Sequence, residues 1–438
     1  MKCLFISSVG DAGELDICLR AQGEGHQIKW FFPPGPRTEF IGKGMVERVK
    51  DWRAHMRWAD LVILSDNVKY LREIDAWRSS GIPIIGATQE AARWELDRTH
   101  GQDVFRKAGI DVVPYKEFSD YDAAIAYVKK EMRRFVSKPC GDEKDKSLSY
   151  VAKSPADMVY MLQRWKKNST MKSRFILQDF IPGTEMAVGG WFGPGGFSEG
   201  FCENFEFKKL MNDDVGCNTG EMGTCLRFVK KSKLAKMVLQ PLEEALDKVG
   251  YVGYVDSNCI IDEEGNPWPL EFTMRFGWPC FNIQMALNKG DPIEWLAALA
   301  EGRDARNWKL NDTAVGVVMA IGDFPFSKMP VEKVVGVPIY GLDKITDDVH
   351  PCMMMRGDAP QEANGKIVTA PIDTTAGDYV LVATGTGKTI IEAQRRAYAT
   401  VKKVEIPSSP IYRTDIARKL SRCLPGIQAH GYASGWTY

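Results

Sequence analysis

The sequence predicts a protein of mixed α/β and α+β class, and three observations carry that reading. The first ninety or so of its 438 residues alternate apolar runs with helical patterns, which implies a parallel sheet with helices on its faces. From Asp97 to about Phe180, strands and helices mix as in a small α+β unit. From about Thr313 the chain runs through short β-like pieces to the helical pattern TIIEAQRRAYATVKKV.

Taken in order, KCLFISSVG reads as a first buried strand, ELDICLRAQGEG as a helix and HQIKWFFP as a second strand. ADLVILSD and IPIIGAT are apolar runs flanking the helical pattern KYLREIDAWRSSG. In the next unit RRFVSKPC is a strand and GDEKDKSLS a charged loop. SPADMVYMLQRWKK is a helix with Ser154 as N-cap and Pro155 at its first position. FILQDFI is the following strand. A Gly-rich hairpin (GGWFGPGGFSEG), a polar loop through NDDVGCNTGEMG and one helix, KLAKMVLQPLEEALDKVG, come next. VGYVDSNCIIDEEGNPWPLEFT gives two strands joined by the turn EEGNP, and AVGVVMAI opens the tail. No fixed-period repeat and no low-complexity tract interrupts this order.

Lys plus Arg and Asp plus Glu each number 57, so the chain has no net charge. That argues against broad nucleic-acid or membrane-surface binding. No apolar run approaches the roughly 20 residues that span a bilayer. The N-terminal apolar stretch meets Asp11 early and reads as a strand rather than a signal peptide. The ten Cys form no C-x-x-C and do not cluster with the five His. This argues against a zinc site and fits reduced thiols in the cytoplasm.

The segment PLEFTMRFGWP places Glu271, Thr273 and Arg275 on alternate residues, with apolar Phe272, Met274 and Phe276 between them. In a strand these three polar groups share one face. Asp256 lies on the preceding strand, and facing side chains of antiparallel neighbours are ~5 Å apart. Asp256 and Glu271 are therefore expected to face each other across a cation, since two carboxylates that close otherwise repel. Mg²⁺, held by carboxylates and substrate phosphates, suits such a pair; two solvated acids on a surface hairpin are the plainer alternative. Lys138 ends the run FVSKP, ahead of a loop carrying Lys144 and Lys146. It stands where a lysine could neutralise a phosphate while the loop closes over it, although charged loops are usually just solvated. GTGKT, ending at Thr389, lacks the first glycine of a P-loop and reads as a strand-to-helix turn. SVGDAG likewise lacks a full dinucleotide fingerprint.

In this order, NTGEMG, EFTMRFG, AVGVVMA with its following IGDFP, and GDYVLVATGTGKTIIEAQRRAYA resemble the glycinamide ribonucleotide synthetase (phosphoribosylamine–glycine ligase) family of the ATP-grasp superfamily. The resemblance runs over nearly the whole chain. It implies an ATP-grasp fold with an N-terminal α/β pre-ATP-grasp domain over 1–95 and an ATP-grasp domain over 96–305. A lid subdomain would cover about 108–180, and a C-terminal β-rich mixed β/α domain 306–438. It further implies ATP and Mg²⁺ (or Mn²⁺) as cofactors, and ATP-dependent amide formation through an acyl phosphate in purine biosynthesis. Small-molecule partners (glycine and an amine) and a cytoplasmic monomer or homodimer complete the picture.

By the same resemblance, Arg98, Lys138 and Lys146 contact the nucleotide. Gln178, Asp179, Phe180 and Ile181 hold adenine, and Glu185 the ribose. Asp256, Glu271 and Thr273 stand as metal ligands, and Arg275 with Lys138 as catalytic cations. Asn218, Thr219, Gly220 and Glu221, with Arg275, line the substrate pocket. The chain departs from the family pattern at Arg98 (usually lysine), Thr273 (usually asparagine), Glu221 (usually glycine) and in the segments SVGDAGELD and LSDNVKYL. The last three lie on the acceptor side. A carboxylate at Glu221 would repel a nearby phosphate, so the amine acceptor is expected to differ from phosphoribosylamine. Arg98 and Thr273 favour the alternative, a catalytically inactive nucleotide-binding regulatory or scaffold protein of the same fold.

Overall fold

The computed structural model describes residues 1–8, 13–140, 149–168, 174–303, 307–344, 346–407 and 410–438. Lys144, Lys146 and the rest of the loop after Cys140 lie outside the described residues.

The N-terminal alternation folds into a five-stranded parallel sheet. Its spatial order is Glu47–Val49, Gln27–Phe31, Lys2–Ile6, Leu61–Leu64 and Ile84–Ile85. The three-residue strand Glu47–Val49 is too short to register in the hydrophobic pattern. Strand order reverses at Lys2–Ile6, and the carboxyl ends of parallel strands at such a switch form a natural binding crevice. Here those ends carry Ser7, Ser8, Ser65, Asp66 and Asn67, all buried.

The next unit is a four-stranded antiparallel sheet in the order Tyr115–Phe118, Phe175–Asp179, Phe135–Pro139, Tyr150–Val151. Helices Tyr121–Glu131 and Pro155–Asn168 pack on it over a separate core that includes Phe118, Phe135, Trp165 and Phe175. The Ser154 hydroxyl accepts from the Asp157 amide at 3.2 Å, capping the second helix as its sequence predicts.

The third and largest sheet has nine strands. Eight run from Pro267–Thr273 and Gly253–Ile261 through Thr184–Gly193, Phe201–Glu206 and Gly223–Val229 to Thr313–Ala320, Tyr379–Gly387 and Val349–Pro351, and the ninth, Gly196–Phe197, pairs with Thr184–Gly193 off this path. The single helix predicted over KLAKMVLQPLEEALDKVG is two helices, Lys233–Val238 and Glu243–Lys248, with a 3₁₀ turn at Gln240–Leu242 between them. Pro241 causes the break, because it has no N–H to donate and its ring collides with the preceding turn. GTGKT does lead from strand to helix: Thr389 and Glu392 form a capping box on helix Ile390–Val401. Its hydroxyl is thereby committed to the backbone.

The parallel sheet and the large sheet meet at the segment after Thr273. The Phe276 amide donates to the Ser65 carbonyl at 3.1 Å, and Asn67 Nδ2 to the Met274 carbonyl at 3.4 Å. Among the described residues no helix is long and apolar enough to cross a membrane.

Candidate active site

The register of the two strands carrying Asp256 and Glu271 corrects the expected carboxylate pair. Asp256 lies opposite Thr273, and Glu271 lies opposite Asn258. A hairpin's turn and an irregularity between Asn258 and Cys259 fix this pairing, and residues two apart on one strand still share a face. Asp256 therefore turns inward to other partners: it accepts from the Tyr254 hydroxyl at 3.0 Å and from Asn204 Nδ2 at 2.9 Å. Burial, aided by the nearby Glu206 charge, pushes its carboxyl up to about 7.

Gly189 sits directly across from Asp256 on the neighbouring strand. A Cβ there would lie 2.0 Å from the Tyr254 hydroxyl, so only glycine leaves room for the tyrosine that orients Asp256. Gly189→Ala is expected to cost roughly 1–3 kcal/mol through overpacking, read as a lower urea midpoint.

Around Glu271 the site is cationic. Arg98, the first residue of helix Arg98–Lys107, reaches Glu271 at 3.0 Å. Burial alone would raise the Glu271 carboxyl, but Arg98, Lys138 and Lys208 outweigh it and hold the group below the ordinary carboxylate range. Lys138 extends from the small antiparallel sheet into the same field. Burial first, and then the Arg98 charge, hold its ammonium down to about 7. Among the described residues no carboxylate lies within ion-pair distance of Lys138. Lys208 bridges Glu185 and Glu206, at 2.9 Å each. Against the opposing effect of burial, those two carboxylates raise its pKa well above the ordinary lysine value. Asn258 Nδ2 joins the same two carboxylates at 2.9 and 2.8 Å.

The remaining predicted residues divide. The strand ends at Thr273, so Arg275 falls beyond the alternating face; its Nε donates to Glu95 at 3.0 Å. Glu95 also accepts from the Met274 amide at 2.7 Å, which fixes that turn. Gln178 is buried, Asp179 pairs with Arg133 at 2.5 Å, and the Arg134 guanidinium lies 3.5 Å above the Phe180 ring. Asn218 and Gly220 are exposed, and Thr219 donates to the Lys208 carbonyl at 2.9 Å. Thr219 and Glu221 of that run turn inward and are buried. Sequence reasoning missed Asn204, Glu206, Lys208, Asn258 and Glu95. A period-two signal was present for three of them: Asn204, Glu206 and Lys208 alternate with apolar Phe205 and Phe207.

Lys138 on the small sheet and Glu271 and Lys208 beside the large one thus lie in one another's field, with Arg98 paired to Glu271. Such an arrangement can hold several negative charges at once. Among the described residues no group of three or more His, Cys, Asp or Glu could hold a metal ion. Glu271, with Thr273 two residues on, offers a single anionic ligand. That fits Mg²⁺, which commonly takes one or two carboxylates and completes its shell with phosphate oxygens and water.

Residues 97–280 match the family described as phosphoribosylglycinamide synthetase, ATP-grasp (A) domain. The chain is 26% identical over 359 residues to a phosphoribosylamine–glycine ligase of Salmonella typhimurium, covering 78% of this chain and 79% of that one. A phosphoribosylamine–glycine ligase of Ralstonia nicotianae is 26% identical over 361 residues, with 80% and 81% covered. Among solved structures, a phosphoribosylamine–glycine ligase from Thermotoga maritima superposes with TM-score 0.71 at 21% identity, over 95% of this chain and 100% of that one. An L-amino acid ligase from Bacillus licheniformis superposes with TM-score 0.58 at 13% identity, over 93% and 98%. The fold is that of the ATP-grasp proteins.

Proposed function

Because the chain is a divergent ATP-grasp protein similar to phosphoribosylamine–glycine ligases, we propose that it joins a carboxylate to an amine at the expense of ATP, through an acyl phosphate. The observation that carries this reading is the gathering of Arg98, Lys138 and Lys208 around Glu271. Phosphoryl transfer is catalysed mainly by positioning and charge neutralisation, and this cluster supplies both. The triphosphate lies between Lys138 on the lid, about residues 108–180, and the Glu271 face of the ATP-grasp domain, 96–305. Gln178, Asp179, Phe180 and Ile181 hold the adenine, and Glu185, steadied by Lys208, the ribose. Domains 1–95 and 306–438 flank the cleft. A divalent ion bound with the nucleotide, held by Glu271 and by Thr273 directly or through water, would screen the phosphate charge. Arg275, oriented by Glu95, receives the substrate carboxylate and neutralises the acyl phosphate formed from it. The amine then attacks the acyl carbon and phosphate leaves.

Glycine is the carboxylate substrate that the similarity supports. Glu221 and the acid-lined carboxyl ends of the parallel sheet, with Glu14 and Asp66, favour an amine acceptor without a phosphate. Free thiols throughout the chain suit a cytoplasmic setting, as does a place in purine biosynthesis or a related amide-forming pathway. The test is ADP release over a panel of amino acids and amines that includes glycine with phosphoribosylamine. Ordinary rates with that pair would overturn the altered acceptor. ATP bound tightly without turnover for any pair would instead establish a regulatory protein, the reading that Arg98 and Thr273 favour.

Lys138 gives the nucleotide site a pH signature. Its ammonium in the free protein titrates at about 7, and bound phosphate favours the charged form. Nucleotide binding is therefore expected to take up a proton above pH 7. Affinity should fall several-fold between pH 7 and about pH 8, and calorimetry in buffers of different ionisation enthalpy reads the uptake. In the free protein the sign for stability is opposite. The folded state holds fewer protons than the unfolded chain between about 7 and the ordinary lysine value of 10.5, so stability rises with pH across that window.

A further inference from the structure

The carboxyl ends of the parallel sheet border a cavity of about 460 Å³, within the range of small-molecule sites. Its walls are the loop 33–38 that follows strand Gln27–Phe31, Ser8 beyond strand Lys2–Ile6, and residues 329–331 from the C-terminal part of the chain. Clefts at the carboxyl ends of parallel strands are where α/β sheets hold ligands. The lining is apolar and poor in donors. Pro33, Pro34, Pro36 and Pro330 have no N–H to offer. The Thr38 amide donates to the Gly35 carbonyl at 3.1 Å, and its hydroxyl to the Pro33 carbonyl at 2.6 Å. Ser8 is committed as well: its amide donates to Asp66 at 2.5 Å and its hydroxyl to the same carboxylate. Arg37 is the only charged lining residue among the described residues. Its guanidinium donates to the Met329 carbonyl at 2.9 Å and lies 3.8 Å from the buried carboxylate of Asp378. A phosphate cradle is built from several free backbone N–H groups. Here at most the Gly35 and Arg37 amides are left, so the cavity disfavours a phosphate and rewards burial of apolar carbon. The prolines also fix the φ angles of the loop, so its wall is preformed.

One strand end joins this cavity to the reacting side of the fold. Ser8 is bonded to Asp66, and the preceding residue, Ser65, accepts from the Phe276 amide at 3.1 Å, one residue after Arg275. Asn67, the next residue on, donates to Glu95 at 2.8 Å, and Glu95 accepts from Arg275 at 3.0 Å. The Ser8 end of the cavity thus stands beside the segment that carries Arg275. We infer that the amine acceptor has an uncharged apolar body, branched aliphatic or aromatic, seated in this cavity with its amino group at the Ser8 end. The inference rests on the ligase reading above and adds the chemical class of the acceptor. The amine nitrogen bonds to the acyl carbon and the acyl carbon–oxygen bond breaks. Phosphate leaves with that electron pair, and the amine's proton passes to water.

The test supplies the full chain with ATP, Mg²⁺ and glycine and varies the amine. Isoamylamine and benzylamine are compared with ethanolamine, O-phosphoethanolamine and phosphoribosylamine, and hydroxylamine serves as an acceptor too small to fill the cavity. Wild-type protein is expected to use the two apolar amines about 30-fold or more better than ethanolamine in kcat/KM, and the phosphate-bearing amines worst. Val331→Trp fills the cavity from a partly exposed position. It is expected to lower the benzylamine-to-hydroxylamine ratio by about 10-fold or more. A preference for either phosphate-bearing amine, equal use of ethanolamine and benzylamine, or an unchanged ratio in Val331→Trp overturns the inference and leaves the ligase reading intact. If Val331→Trp does not fold, Met329→Ala enlarges the same cavity. A shift of preference toward 2-naphthylmethylamine then supports the inference, and an unchanged ranking overturns it. No ADP release with any amine, hydroxylamine included, overturns the ligase reading itself. Calorimetry with benzylamine then decides the cavity: saturable binding lost in Val331→Trp supports an apolar-amine site, and no binding overturns it.

Discussion

Glu271→Gln is expected to lose turnover by about 10²–10³-fold, the loss typical when one preorganised charge at a phosphoryl or acyl centre is removed. Nucleotide affinity should change only a few-fold. The carboxylate lies 3.0 Å from Arg98 and is held ionised by Arg98, Lys138 and Lys208. An amide keeps its size but removes the anion that Arg98 pairs with. The triphosphate itself can still satisfy those cations, which is why binding survives. What is lost is the anionic ligand that Glu271 would give a divalent ion at the transferring phosphate. ADP release against nucleotide binding, measured on the same preparation, separates the two effects. Unchanged turnover would remove Glu271 from the reaction. A large fall in nucleotide affinity would assign it to binding alone.

Arg413→Met is expected to cause the largest loss of stability, about 3–5 kcal/mol. The guanidinium is 1% exposed and gripped by Asp415 through two bonds of 2.8 Å. It also donates to Asp214 at 2.8 Å and to the Lys209 carbonyl at 3.0 Å. Removing it strands Asp415, itself only 5% exposed. Asp214 is half in solvent and adds little. Urea unfolding measures the loss, and Arg413→Met with Asp415→Leu should recover much of it, since the isolated buried charge is then gone as well. The pair also has an acid-side signature. Burial works against ionisation of Asp415, but Arg413 outweighs it and lowers the carboxyl below its ordinary value. Its stabilisation is therefore present above the unfolded carboxyl pKa and lost as pH falls through the lower folded one, and Arg413→Met should flatten that part of the acid limb.

Much of the architecture was legible in local pattern. Apolar runs of four or five residues separated by amphipathic segments can bury themselves only as parallel strands under helices, and the first sheet follows from that. The Ser154 and Thr389 caps were readable because capping is chemistry between residues three apart. Glu47–Val49 was not, because three residues carry no period. The break at Pro241 had a local cause that a continuous apolar stripe concealed.

The candidate site shows the same division more sharply. Alternation in LEFTM puts Glu271 and Thr273 on one face, and that much is a property of any strand. Which residue faces Glu271 depends on the register of two strands and an irregularity between them, and there Asn258 took the place expected for Asp256. Lys208, 63 positions before Glu271, reaches its field only because the strand before it, Phe201–Glu206, lies in the same sheet as Pro267–Thr273, with Thr184–Gly193 and Gly253–Ile261 between them. Residue order alone therefore determined the element types, the polar face and the charges available. Tertiary structure decided which charges meet and which, like Glu221, stay unpaired, because burial and Coulomb energy depend on distances between strands far apart in the chain.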